Sequence, residues 1–142
     1  MLNYTHRKSH EFQTTATSTP SDLVGEVGYN DDKYKLRLLY IWDKLTFSID
    51  TTHYSSALDD ATQDKNDYTF NAVDSMTYVD LQGRYQFNDQ IEVYLGIDNL
   101  LGEDPPFCPN CKNEPGPGSH YTGLQNRIWD STYWYAGLKF TM

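Results

Sequence analysis

No stretch of this 142-residue sequence approaches the roughly 18 apolar residues in a row that mark a transmembrane helix. No segment sustains a period of 3.6, so little helix is expected. Cysteine is nearly absent. Cys108 and Cys111 alone cannot build a disulfide-rich scaffold or a four-ligand zinc site. Positive charge is scarce, with 11 basic against 20 acidic residues and a net charge of −9. That excludes a nucleic-acid partner, whose phosphates need Lys and Arg. The first ten residues carry no apolar core of a secretory signal peptide. His6, His10, His53 and His120 share no ligand spacing, and neither a Gly-rich phosphate loop nor a Gly-x-Ser-x-Gly elbow occurs. The chain therefore reads as a non-enzyme with no cofactor and no metal.

Aromatic residues, by contrast, are plentiful. They make up 15% of the chain, 12 of them Tyr, although only 38% is hydrophobic and mean hydropathy is −0.70. Such a mixture suits strands with one greasy and one wet face. Alternation bears this out. From 34 to 42 the even positions are Tyr34, Leu36, Leu38, Tyr40 and Trp42. After Asp43-Lys44, Leu45, Phe47 and Ile49 alternate with Thr46, Ser48 and Asp50, which reads as a hairpin. A second hairpin runs from Val79, Leu81, Gly83, Tyr85 and Phe87, through Asn88-Asp89-Gln90, to Ile91, Val93, Leu95 and Ile97. Trp134, Ala136, Leu138, Phe140 and Met142 repeat the pattern. Strands are thus expected at about 34–42, 45–55, 77–87, 90–100 and 132–142. A weaker one is expected at about 2–15, where Leu2, Tyr4 and Phe12 share a parity. The fold class is all-β, an antiparallel up-and-down meander of five or six strands.

Connections alternate in length. Short turns at 43–44 and 88–90 contrast with long polar segments at about 16–33, 56–76 and 101–131. Loops beyond about 12–15 residues are uncommon in soluble sandwiches. Short turns at one end and long loops at the other characterise outer-membrane barrels, whose strands need about ten residues to cross the bilayer. Aromatics near strand ends (Tyr34, Tyr40, Trp42, Tyr85, Phe87, Trp134, Phe140) suit the two interfacial girdles of such barrels. Alternation alone leaves open whether the apolar face meets lipid or a protein core.

The segment Gly96-Ile97-Asp98-Asn99-Leu100-Leu101-Gly102-Glu103-Asp104-Pro105-Pro106 resembles the stretch ending the penultimate strand of TonB-dependent outer-membrane receptors. Trp129 to Thr141 is similar to that family's final strand. Tyr78 to Tyr85 resembles the strand before the last periplasmic turn, and Lys35 to Tyr54 the hairpin before it. The resemblance covers 33–142 well and 1–32 loosely. It implies that residues 1–142 are the C-terminal portion of such a receptor, part of a transmembrane β-barrel wall, with no plug domain. It further implies energy-coupled uptake of a scarce nutrient such as a ferric siderophore, cobalamin or an oligosaccharide. The implied location is the outer membrane of a Gram-negative bacterium. Implied partners are outer-membrane lipid, the remaining barrel and plug, and the TonB system through that plug. The rival reading is a soluble antiparallel β binding module, with carbohydrate as the candidate ligand for its Trp and Tyr.

Cys108-Pro109-Asn110-Cys111 has three readings. Redox chemistry needs a helix N-terminus, which the flanking Pro and Gly residues oppose. Zinc needs two more ligands, for which His120 and Glu114 could serve. A local disulfide between Cys108 and Cys111 would pin an exposed loop where oxidising chemistry reaches. Asp59, Asp60, Asp64, Asp67 and Asp74 lack the EF-hand order and read as solvated loop charge. Lys35, Arg37, Asp50, Asp80, Arg84, Glu92 and Lys139 fall on the polar parity, where they could touch a substrate or pair across strands.

Overall fold

The computed structural model describes residues 1–59, 72–108 and 131–141. Among them there is no helix. The described residues form ten strands: β1 (Leu2–His6), β2 (Glu11–Phe12), β3 (Ser21–Asp22), β4 (Asp32–Trp42), β5 (Leu45–Tyr54), β6 (Ala57–Leu58), β7 (Ala72–Val73), β8 (Met76–Gln86), β9 (Ile91–Asp98) and β10 (Tyr133–Phe140). Six form one antiparallel sheet in the order β1-β4-β5-β8-β9-β10. Each neighbour is the next long strand in the chain, so the sheet is a meander whose edges are β1 and β10. The two-residue strands β2/β3 and β6/β7 form separate ribbons in the long connections.

Turn chemistry explains the tight end. Trp42 pairs with Leu45, and Asp43 between them takes a left-handed φ of 49°, which Asp tolerates better than most residues. In the other turn, Asn88 Oδ1 accepts the backbone N–H groups of Gln90 and Ile91, each at 2.9 Å, an Asx-type arrangement.

The expected strand at 2–15 is corrected to two elements. β1 pairs with β4 only as far as His6. Beyond it, Arg7 lies over the Tyr29 ring at 5.3 Å and His10 stacks on the same ring at 4.5 Å. The His10 N–H donates to Asp22 Oδ1 at 2.9 Å. These contacts draw the chain off the sheet, and Phe12 pairs with Ser21 instead. The strand expected over 90–100 ends at Asp98, because Asn99 adopts φ 53° and leaves the extended region.

Within the six-stranded sheet, register places the expected apolar residues of β1, β4, β5, β8, β9 and β10 on one face; Phe12 lies in the β2/β3 ribbon, and Met142 lies outside the described residues. Leu38 stands opposite Ile49, Ile49 opposite Leu81, Leu81 opposite Ile97, and Ile97 opposite Trp134. None of these side chains, nor any other apolar side chain on that face, is buried among the described residues. Leu95, Tyr40, Trp42, Trp134, Leu138 and Phe140 are all exposed. The buried cluster lies elsewhere, at the long-loop end, where Val27, Ala57, Val73 and Cys108 meet. Backbone bonds hold the loops there: Val27 N–H to the Leu58 carbonyl at 2.9 Å, Leu58 N–H to Gly25 at 2.6 Å, and Ser55 N–H to Asp32 at 3.0 Å.

Candidate functional site

The opposite, polar face of the sheet carries a groove of about 420 Å³. Lys35, Arg37, Asp50, Asp80 and Arg84 all line it, so five of the seven charges sharing the polar parity converge on one site. Glu92 and Lys139 stand opposite each other on the same face but outside the groove lining. Arg37 Nε donates to Asp50 Oδ1 at 2.6 Å, the cross-strand pairing that the alternation allows. Arg84 Nε donates to Gln82 Oε1 at 2.7 Å, and Gln82 Nε2 donates to the Tyr135 hydroxyl at 3.0 Å.

Gln82, Tyr135, Asp98, Thr46, Ser48 and Thr52 also line the groove, and sequence reasoning did not single them out. Their parity matches that of the charged residues, which is the signal that could have found them. Lys35, Arg37 and Arg84 are balanced by Asp50, Asp80 and Asp98, so the lining presents mixed charge and hydroxyls, with Leu39 and Leu81 as its aliphatic members. Among the described residues no His or Cys lines it. The arrangement is suited to holding a polar surface by hydrogen bonds.

Asn99 follows Asp98 of the groove lining, at the loop end of β9. It is 2% exposed, and its side chain clamps Glu103: Nδ2 donates to the Glu103 carbonyl at 3.0 Å, and Oδ1 accepts the Glu103 N–H at 3.0 Å. Its own N–H donates to Asp80 Oδ1 at 2.9 Å, and its carbonyl accepts the Thr132 hydroxyl at 2.9 Å. One residue thereby ties β8, the end of β9 and the approach to β10. Burying an amide is favourable only when its bonds are made in this way.

Cys108 is fully buried in the loop-end cluster and its sulfur is engaged in a disulfide. Without a thiol proton the sulfur donates nothing, so its 3.3 Å approach to Asp59 Oδ1 is a close contact and not a hydrogen bond from sulfur. Cys111 lies outside the described residues, as do Glu114, His120, Asp60, Asp64 and Asp67. His53 Nδ1 lies 2.8 Å from the Thr77 hydroxyl, and His6 Nδ1 2.8 Å from Asp32 Oδ1. No group of three or more His, Cys, Asp or Glu able to hold a metal occurs among the described residues. In comparisons with known proteins, no family model, curated protein or solved structure matches the chain.

Proposed function

We propose that the chain is the C-terminal wall of a TonB-dependent outer-membrane receptor, a transport protein and not an enzyme. The observation that carries this reading is the bare apolar face: from the short turns to the row of Leu38, Ile49, Leu81, Ile97 and Trp134 the sheet presents an apolar side on which no side chain is buried among the described residues, while Asp32, Thr51, His53 and Thr77 share that face nearer the long loops. In water such a surface is unfavourable in proportion to its area; in a bilayer it is the surface required. Dimensions agree. The three central strands β4, β5 and β8, of ten to eleven residues, rising about 3.4 Å each and tilted about 45°, cross about 25 Å of hydrocarbon; β9 and β10 have eight residues and β1 five. Trp42, Tyr85, Phe87 and Phe140 lie beside the short turns, and Tyr4, Tyr34 and Trp134 near the long-loop end. Aliphatic residues fill the space between, as in a barrel with two aromatic girdles.

In this reading lipid covers the apolar face, and further barrel strands pair with the free edges of β1 and β10. The plug of the full receptor lies against the polar groove and carries the coupling to TonB. The cargo is a scarce nutrient of the siderophore, cobalamin or oligosaccharide kind. A Cys108–Cys111 disulfide braces the extracellular loop.

Depth-dependent quenching tests the membrane assignment. Full chains retaining only Trp42 or only Trp134, refolded into vesicles with brominated lipids, are expected to be quenched most by bromines near the headgroups. Lack of quenching, together with a monodisperse monomer in detergent-free buffer that melts cooperatively, would overturn the reading in favour of the soluble binding module.

A further inference from the structure

The last two strands carry a crossed pair of tyrosines and glycines on the polar face. Tyr135 of β10 stands opposite Gly96 of β9, and Tyr94 of β9 stands opposite Gly137 of β10. Each ring covers its glycine. A Cβ added at Gly96 would lie 2.2 Å from Tyr135 Cζ, and one added at Gly137 2.2 Å from Tyr94 Cζ, so each would clash with the phenol above it. Because Gly96 has no side chain, Tyr135 reaches across β9 and its hydroxyl meets Gln82 of β8. Gly83 shows that glycine in this sheet is not covered by default: a Cβ added there meets nothing within 4 Å.

Something must set the register of β10, and the usual devices are missing. The β8–β9 hairpin has a tight turn, which fixes its register. β9 and β10 are joined through residues 99–132, too long a connection to dictate pairing. Face alternation excludes only slips by an odd number of residues. A slip by two keeps Trp134, Leu138 and Phe140 on the apolar side. In one direction it brings Tyr135 opposite Asp98 and Gly137 opposite Gly96, leaving a gap between two glycines. In the other it brings Tyr135 opposite Tyr94, so two rings contend for one space, and Gly137 opposite Glu92. Both slips also part Lys139 from Glu92, which face each other in the observed register.

We propose that Tyr135–Gly96 and Tyr94–Gly137 form a register lock for the terminal strand, selecting the one pairing in which both rings find a glycine. The lock acts whether lipid or protein covers the apolar face, so it stands apart from the receptor reading.

Disulfide trapping in the full, detergent-refolded chain tests it. Leu138→Cys is combined in turn with Ile91→Cys, Val93→Cys or Leu95→Cys, and linked peptides are mapped by mass spectrometry with the native cysteines left in place. Residues 93 and 138 are opposite in the observed register; 91 and 95 are their counterparts in the two slipped ones. The 93–138 link is expected to exceed the others by roughly tenfold, as two specific aromatic contacts warrant. Gly96→Ala with Gly137→Ala is expected to bring the three yields close together. The exchange Tyr94→Gly with Gly137→Tyr, which restores a ring over a glycine, is expected to recover the preference. Thr132→Val, which removes only the hydroxyl bond to the Asn99 carbonyl, is expected to leave it intact. Unchanged yields in the alanine variant, failure of the exchange to recover the preference, or loss of preference on Thr132→Val would each overturn the lock.

Discussion

The loop end and the strand wall of this molecule obey opposite rules. At the loop end, Val27, Ala57, Val73 and Cys108 are buried together, and backbone bonds tie the segment before β4 to the segment after β5 around them. Along the wall, an apolar face that starts at the short turns and gives way to Asp32, His53 and Thr77 near the long loops has no side chain buried among the described residues. A soluble sandwich would have its core against the sheet and solvated loops at the ends. Here the sheet's apolar face and the buried cluster are separate structures. The loop cluster excludes water by itself, whereas the wall depends on whatever solvent it is given.

Charge placed on the wall is the largest way to break this contrast. Leu95→Arg sits in the middle of β9, on the apolar face. In vesicles it is expected to lower unfolding free energy by about 2–4 kcal/mol, the cost of a cation near the bilayer midplane. If the face meets water, the same change is expected to stay within about 0.5 kcal/mol, because Leu95 is already exposed. Urea titration in each medium separates the two. Val73→Ala is the counterpart at the loop end. It is expected to cost about 2 kcal/mol in either medium, since Val73 is 1% exposed and its burial needs no lipid.

Asn99 joins the two regions, so its removal sharpens the boundary between them. Asn99→Ala strips both bonds to Glu103 and places a residue with little tolerance for positive φ at 53°. A loss of about 2 kcal/mol is expected, with Asn99→Gly milder because it keeps the backbone freedom. Hydrogen exchange is expected to rise first at Glu103 and Leu100, and not in the β4–β5 hairpin.

Smaller effects are expected from the exposed charges. Arg37→Gln breaks the pair with Asp50, but Arg37 is more than half exposed. The expected loss is below about 1 kcal/mol and shrinks further in high salt. The smallest effect belongs to Asp22 in the β3 ribbon. Backbone N–H groups of His10 and then Val24 hold its carboxyl below the usual value. A depressed folded-state pKa stabilises above the unfolded-state value, and that contribution fades as pH falls through the folded-state one. Loosening of the β2/β3 ribbon is therefore expected only below about pH 4. Asp22→Asn, which keeps an acceptor oxygen, is expected to abolish most of that pH dependence, read from the His10 and Val24 amide shifts.

Much of the wall was legible because parity is local. In an extended chain successive side chains point to opposite faces, so Leu36-Arg37-Leu38 assigns its faces with no knowledge of neighbours. Asp43-Lys44 and Asn88-Asp89-Gln90 likewise declare turns by their own chemistry. The 2–15 segment misled because Phe12 shares a parity with Leu2 and Tyr4, yet the attraction of Arg7 and His10 to Tyr29 lies in a different part of the chain. The groove was half legible: its charges share a parity, but which of them converge depends on register across four strands.

By itself, then, the sequence determined where the five later sheet strands lie, the two tight turns and the division into an apolar and a polar face. All three follow from backbone pleat and local dihedral preference. Only the tertiary structure decided that Tyr135 lies over Gly96 and touches Gln82, that Asn99 gathers Asp80, Glu103 and Thr132, and that Val27 meets Cys108. Those contacts join residues 4 to 81 positions apart in the chain. Register and burial depend on which distant segments come together, and no local periodicity encodes that choice.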